Sequence, residues 1–169
     1  MSRLTLVLGG ARSGKSRFAE SLARDRAGPR TYIATAEPFD EEMRQRIAKH
    51  RDQRAGEGWE TIEAPLDPAA ILAQASGLVL LDCVTVWLGN LMHHARDLPA
   101  EVAKLCAALE ACPAEVILVS NEVGLSIVPE NAMARRFRDE QGRANQALAG
   151  IASEVFLVVA GLPLQVKRA

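Results

Sequence analysis

The chain is poor in the groups that most often build metal centres and covalent frameworks, with three cysteines and three histidines in 169 residues. Cys83, Cys106 and Cys112 are odd in number, show no C-x-x-C spacing and lie in apolar runs. That excludes a disulfide frame or a zinc site as the organising device and points to reduced, buried thiols of a cytoplasmic protein. His93 and His94 are adjacent, so a helix would point them about 100° apart, poor geometry for a single ion, and they read as surface residues. An excess of either charge is also lacking. Twenty Lys+Arg against 21 Asp+Glu leave a formal net charge of −1, so the field of the whole molecule favours neither a nucleic-acid partner nor an anionic membrane. The longest apolar stretch, Val155 to Leu164, has about half the residues of a spanning helix and contains Gly161 and Pro163. It reads as a buried strand and turn, and no membrane insertion is expected. Met1-Ser2-Arg3 leads straight into an apolar run, leaving no room for an export signal. No repeat, low-complexity tract or linker interrupts the chain. Its 49% hydrophobic and 24% charged residues suit one globular domain over 1–169.

What is present begins at Gly9-Gly10-Ala11-Arg12-Ser13-Gly14-Lys15-Ser16, which fits the phosphate-loop pattern G-x-x-x-x-G-K-[ST]. Leu4 to Leu8 before it is a β-rich apolar run. Arg17 to Arg26 after it reads as a helix with Phe18 and Leu22 on one face. In that setting the glycines let backbone N–H groups converge and the helix N-terminus adds positive potential. Lys15 reaches the β/γ-phosphates and the Ser16 hydroxyl can ligate Mg²⁺. A nucleoside triphosphate is the expected ligand.

Further along, Thr31 to Ala34 reads as a second strand, and Thr35-Ala36-Glu37-Pro38 turns at its carboxyl end, where open α/β sheets bind ligands. Asp40 is the expected N-cap of a helix through about Arg54, with Met43 and Ile47 as its apolar stripe. His50 and Arg54 continue that stripe, so His50 stands where an apolar residue is expected. Arg44, Arg46, Lys49, Arg51 and Arg54 make this helix basic. A solvated face explains most of them, whereas Arg51 and Arg54 flank His50 and are candidates for holding phosphate. Trp59 to Glu63 alternates as a strand. Asp67-Pro68 starts a short helix to about Ala75 by N-cap and N1 preference. Leu78 to Leu81 closed by Asp82 describes a buried parallel strand that delivers a carboxylate to its carboxyl edge, the Walker B arrangement for Mg²⁺. Helices are expected over Thr85 to His94 and Pro99 to Cys112, a core strand over Glu115 to Ser120, and a polar turn at Asn121 to Gly124. A long helix, opened by Pro129 to Asn131, should run to about Ala152 and carry Met133, Phe137, Leu148 and Ile151. Glu154 to Ala160 is the last strong strand, and Leu164 to Lys167 is a candidate edge.

Strand and helix alternate throughout, which predicts an α/β fold: a single-domain P-loop NTPase of RecA-like type, its mostly parallel central sheet covered by helices on both faces. Asp139-Glu140-Gln141-Gly142 matches the GTPase D-x-x-G pattern but falls in a polar helix, and no N-K-x-D motif accompanies it. A small-molecule kinase suits the size better than a motor or recombinase. Another P-loop kinase and a non-catalytic nucleotide switch remain the alternatives at this level.

The phosphate loop, Tyr32-Ile33-Ala34-Thr35, Arg46-Ile47 with His50 and Arg51-Asp52, and Ser120-Asn121-Glu122-Val123-Gly124 through Ile127-Val128-Pro129-Glu130-Asn131 occur together. In combination they resemble the bifunctional adenosylcobinamide kinase/adenosylcobinamide-phosphate guanylyltransferase family, from about Arg3 to Val166. The resemblance implies phosphorylation of the aminopropanol hydroxyl of adenosylcobinamide, then transfer of GMP from GTP to that phosphate with release of pyrophosphate, in adenosylcobalamin assembly. It implies a covalent histidine–GMP intermediate, GTP or ATP as phosphoryl donor, and a homotrimer. Carried over by position, His50 is the guanylylated histidine and Lys15 the catalytic lysine. Gly9 to Ser16, Ala34, Thr35, Ala36, Arg51, Asp52, Gln53, Arg54, Glu63 and Asp82 contact nucleotide, and Ser16 and Asp82 hold Mg²⁺.

Overall fold

The computed structural model describes residues 3–24, 26–38, 41, 44, 45, 47, 48, 56 and 58–168. Its strands form one sheet, because each apolar run between polar turns is too short to bury itself in any other way. In chain order the elements are β1 (Leu4–Gly9), α1 (Lys15–Arg24), β2 (Arg30–Ala34), β3 (Trp59–Glu63), α2 (Pro68–Leu72), β4 (Leu78–Asp82), α3 (Val84–His93), α4 (Leu98–Ala111), β5 (Glu115–Asn121), α5 (Ala132–Ile151), β6 (Glu154–Val159) and β7 (Leu162–Lys167). The strand order is β3-β2-β4-β5-β1-β6-β7. All neighbours pair in parallel except β7, which returns antiparallel on β6.

The continuous apolar runs of β1, β4 and β5 follow from this order, since central parallel strands are covered on both faces. Successive residues alternate between two cores. Leu6, Val79, Leu81, Val116 and Leu118 face α3, α4 and α5, with Trp87, Leu91, Leu105 and Leu148. Val7, Leu80, Ile117 and Val119 face α1, with Ala19 and Ala23. Leu81 is fully buried, so Leu81→Ala should cost about 2–5 kcal/mol through lost transfer energy and a residual cavity.

Several boundaries differ from expectation for local reasons. α1 begins at Lys15 rather than Arg17, because the end of the phosphate loop already feeds the helix and the Phe18 N–H donates to the Gly14 carbonyl at 3.0 Å. α2 ends at Leu72, short of Ala75, and Asp67 precedes it without capping. Its carboxylate instead accepts from Lys104 Nζ at 2.9 Å, and that bond, with Arg96 nearby, holds its pKa below the usual value. True caps occur at Asp97, which accepts from the Ala100 N–H, and at Asn131, whose Oδ1 accepts from the Met133 and Ala134 N–H groups at 2.8 and 3.1 Å. Met133, expected on the apolar side of α5, is exposed. The Val155–Leu164 stretch is a strand, a turn at Ala160-Gly161 and the start of β7, yet Val159, Leu162 and Leu164 are exposed rather than buried. In the expected helix from Asp40 to Arg54, residues 41, 44, 45, 47 and 48 are helical, while Asp40, Met43 and 49–54 lie outside the described residues.

Candidate nucleotide site at the carboxyl edge of the sheet

Parallel strands deliver their carboxyl ends to one edge, and the chemistry-bearing residues collect there. The phosphate loop leaves β1 at Gly9 and closes into the first turn of α1, which carries no acidic residue. Two constraints shape it. Gly9 is buried, and a Cβ there would lie 2.4 Å from Ser13 Oγ and 2.8 Å from the Val158 carbonyl oxygen. Gly14 has φ +94°, a conformation that only glycine adopts without strain, and a Cβ there would lie a tight 3.2 Å from the Cα of Gly161 in the β6–β7 turn. The Gly161 N–H donates to the Ser13 carbonyl at 2.8 Å, tying that turn to the loop. The result is a cleft of about 450 Å³ lined by Arg12, Ser13, Gly14, Lys15, Ser16 and Gly161, among others. The Lys15 ammonium lies over the loop and donates to the Gly10 carbonyl at 3.1 Å. Converging amides, a helix N-terminus and a lysine make this cleft suited to polyphosphate.

Across the edge, β4 ends in Asp82, one strand beyond β5 from the loop, or roughly 10 Å at ordinary strand spacing. Its carboxylate is aimed by Tyr32 on β2, whose hydroxyl donates to Oδ2 at 2.9 Å. The following residue, Cys83, is fixed by Thr35. The Thr35 hydroxyl accepts from the Cys83 N–H and donates to its carbonyl, each at 2.9 Å. Thr35 is fully buried, and its carbonyl accepts from Asn90 Nδ2 at 2.6 Å. Its polar groups therefore hold β2, β4 and α3 together next to Asp82. Burial, with the Asp82 charge second, pushes the Cys83 thiol up to about 12. It remains protonated, and its sulfur accepts from the Val86 N–H at the start of α3.

Ala34 and Ala36 are half-buried on this edge, and Glu63 is exposed at the end of β3. His50, Arg51, Asp52, Gln53 and Arg54 lie outside the described residues. For Mg²⁺, Ser16 in the cleft and Asp82 at the end of β4 are the hard oxygen donors that could hold it. No group of three His, Cys, Asp or Glu that could hold a metal occurs among the described residues. That donor set fits an ion that keeps waters and phosphate oxygens as its other ligands rather than one caged by protein.

Pattern reading missed Tyr32 and Asn90, which act over 50 and 55 residues of chain. It also missed a buried polar network behind β5. Gln141 Nε2 donates to Ser120 Oγ and Asn145 Oδ1, Asn145 Nδ2 donates to the Asn121 carbonyl, and the Asn121 N–H donates to Thr85 Oγ1. The signal available was two amides four residues apart, Gln141 and Asn145, in a helix otherwise apolar on that side.

Comparison with known proteins agrees with this architecture. An ATPase of the type III secretion system of pathogenic bacteria superposes with TM-score 0.52 at 11% identity, over 96% of this chain and 56% of that one. The KaiC-like protein PH0186 of Pyrococcus horikoshii does so with TM-score 0.50 at 15% identity, over 92% and 71%. These likenesses establish a P-loop NTPase fold. In sequence the chain is 46% identical to the bifunctional adenosylcobalamin biosynthesis protein CobP of Pseudomonas aeruginosa, over 96% of both chains. It is 42% identical to the bifunctional adenosylcobalamin biosynthesis protein CobU of Escherichia coli, over 97% of this chain and 99% of that one. The family model for cobinamide kinase / cobinamide phosphate guanyltransferase matches residues 5–166. That match spans nearly the whole chain and agrees with the relatives, and the chain belongs to the cobinamide kinase / cobinamide phosphate guanyltransferase family.

Proposed function

We propose that this enzyme phosphorylates adenosylcobinamide with GTP or ATP and then transfers GMP from GTP to the resulting phosphate, through a covalent GMP adduct on His50. The observation that carries the reading is the phosphate-loop cleft with Lys15 over it, at the same sheet edge to which β4 delivers Asp82. In the kinase step the substrate hydroxyl oxygen bonds to the γ-phosphorus, the bond from that phosphorus to the β–γ bridging oxygen breaks, the nucleoside diphosphate departs with that oxygen, and the hydroxyl proton passes to solvent. Catalysis of such a transfer is mostly positioning and charge neutralisation. Lys15 supplies a cation at the β/γ-phosphates, the loop amides fix their oxygens, and Asp82 and Ser16 are the residues that would hold Mg²⁺. When bound, that ion adds further neutralisation of the phosphate charge.

In the second reaction a ring nitrogen of His50 bonds to the α-phosphorus and pyrophosphate departs. The substrate phosphate oxygen then takes the GMP, and the N–P bond breaks. An imidazole of ordinary pKa, about 6.5, offers a neutral nucleophile near pH 7 without a dedicated base. Arg51 and Arg54 are the neighbours proposed to hold phosphate oxygens, with Asp52, Gln53, Glu63, Ala34 and Ala36 as further nucleotide contacts. Intact mass after incubation with GTP and Mg²⁺ tests this reading. A GMP adduct that is acid-labile, base-stable and missing from His50→Ala is expected, while phosphorylation of cobinamide persists in that variant. An adduct that survives in His50→Ala removes His50 from the mechanism.

A homotrimer working in the cytoplasm belongs to the same reading. Its support is an apolar strip on the edge strand, where Leu162, Leu164 and Val166 are exposed and an uncovered edge invites a partner chain. Among the described residues no helix is long and apolar enough to cross a membrane. Light scattering at micromolar concentration should give three times the chain mass; an active monomer would contradict the assembly.

A further inference from the structure

A second cavity on the same edge of the sheet is not absorbed by the nucleotide. It measures about 640 Å³ and lies between α3 and the first turns of α5, lined by Gly89, Met92, Met133 and Phe137 with Asn131 at its rim. Small-molecule sites fall in the range of about 300–1,000 Å³ and are largely apolar with a few placed polar groups. Gly89 forms part of the wall: a Cβ there would meet only Phe137, at 4.0 Å. Asn131 Oδ1 is taken by the N-cap of α5, which leaves its Nδ2 as a donor. The loop that runs into Asn131 exposes Leu125, Ile127 and Val128, an unusual density of apolar side chains in water.

Its position relative to the phosphates gives the cavity meaning. Along the carboxyl edge come the β6–β7 turn, the loop on β1, Asn121 on β5 and Asp82 on β4. α3 leaves Asp82-Cys83 directly and lies along that edge, since Asn90 reaches the carbonyls of Thr35 and Pro65 and His94 reaches Glu37. The cleft walled by Gly161 opens at the loop on β1, and the α3–α5 cavity is walled by α3, the helix that begins directly after Asp82-Cys83.

We propose that the α3–α5 cavity and its apolar loop seat the corrinoid acceptor, placing the macrocycle against Met92, Met133 and Phe137 and its alcohol arm toward Asp82. A flat ring with methyl-bearing faces and a fringe of primary amides matches an apolar wall with an amide donor at its rim. The loop residues supply surface for the part of the ring that the cavity does not enclose. This assignment rests on the function proposed above. A second copy of the chain is the competing occupant, and the position of α3, which leaves the edge at Asp82, favours the substrate.

Two variants test it. Met133→Glu places a charge on an exposed position, and Gly89→Leu fills the cavity with a better helix former. Equilibrium dialysis with cobinamide, read by its visible absorbance, should show about a tenfold or greater loss of affinity in Met133→Glu, as expected when an apolar contact meets a charge. Met133→Leu should bind as wild type, and GTP binding and assembly mass should be unchanged in all three. Cobinamide bound normally by both Met133→Glu and Gly89→Leu overturns the assignment. So does a loss that appears only together with a change in assembly mass, which would make this face a subunit contact. Wild-type protein that binds GTP but no cobinamide refutes the proposed function itself, a separate outcome from either.

Discussion

Gly9→Ala isolates the close packing beneath the phosphate loop. The added Cβ would sit 2.4 Å from Ser13 Oγ, 3.3 Å from Ser13 Cβ and 2.8 Å from the Val158 carbonyl oxygen. Rotation of Ser13 relieves the first contact only. Val158 belongs to β6 and stands opposite Gly9 in the ladder between β1 and β6, so its carbonyl cannot retreat without disturbing strand pairing. Overpacking of this kind costs about 1–3 kcal/mol, which for a chain of this size lowers Tm by roughly 2–12 °C. If the backbone yields instead, the loop amides leave their aim, and a 1 Å misplacement of a catalytic group costs about 10²-fold in rate. Thermal unfolding, GTP binding and cobinamide kinase rate should therefore all fall in Gly9→Ala, and Ser13→Ala in the same chain should not restore them. Gly10→Ala is the internal control: no heavy atom lies within 4 Å of its Cβ, so its stability should stay within about 0.5 kcal/mol of wild type. A Gly9→Ala protein that melts and binds GTP as wild type would refute the close-approach argument.

Lys15→Ala should abolish kinase turnover with an unchanged melting curve, because the ammonium donates to the Gly10 carbonyl at an exposed loop rather than packing in the core; near-normal turnover in the folded variant would remove Lys15 from the mechanism. Tyr32→Phe deletes the donor to Asp82 and, as a hydrogen bond to a charged group, should cost about 1.5–3 kcal/mol of stability. Steady-state kinetics should show kcat falling more than the KM for nucleotide, and unchanged kcat would mean that Asp82 needs no aiming. The Cys83 thiol, raised from 9.0 to about 12, favours the folded state below pH 9 and loses that contribution as pH rises toward 12, since only the unfolded chain then ionises. Between pH 8 and pH 10 the loss is about 1.4 kcal/mol, one pKa unit, and urea unfolding of Cys83→Ala should lack that part of the slope.

The parts of the site legible from sequence are those whose chemistry is written in consecutive residues. Gly9 to Ser16 requires its glycines where the chain turns or where β6 approaches, and the apolar run ending in Asp82 requires only that a central strand reach the edge. Relations across the sheet have no such local signature. Tyr32 reads as one aromatic residue in a strand, and nothing in its neighbours shows that register sets it opposite Leu80, where its hydroxyl reaches Asp82 two residues on. The sequence puts Thr35 in the turn after a strand, where open sheets bind ligands, but does not show that its hydroxyl faces inward onto Cys83.

Met133 follows the same logic in reverse. Helical periodicity assigns it to a buried stripe, whereas the first turns of α5 project beyond the layer that α3 and α4 cover, so the stripe continues into an open cavity instead of a core. Apolar periodicity reports that a face is to be covered and is silent about what covers it. For Leu148 the cover is the sheet; for Met133, on the assignment above, it is the substrate. His50 belongs to this second kind. The Met43–Ile47 stripe indicates an inward face for it, but a core and a nucleotide would produce the same pattern, and only the family resemblance separates them. Where a stripe outlasts the layer that should bury it, the excess apolar or polar residue marks a ligand surface, and Met133 and His50 are two places where that rule can be tested.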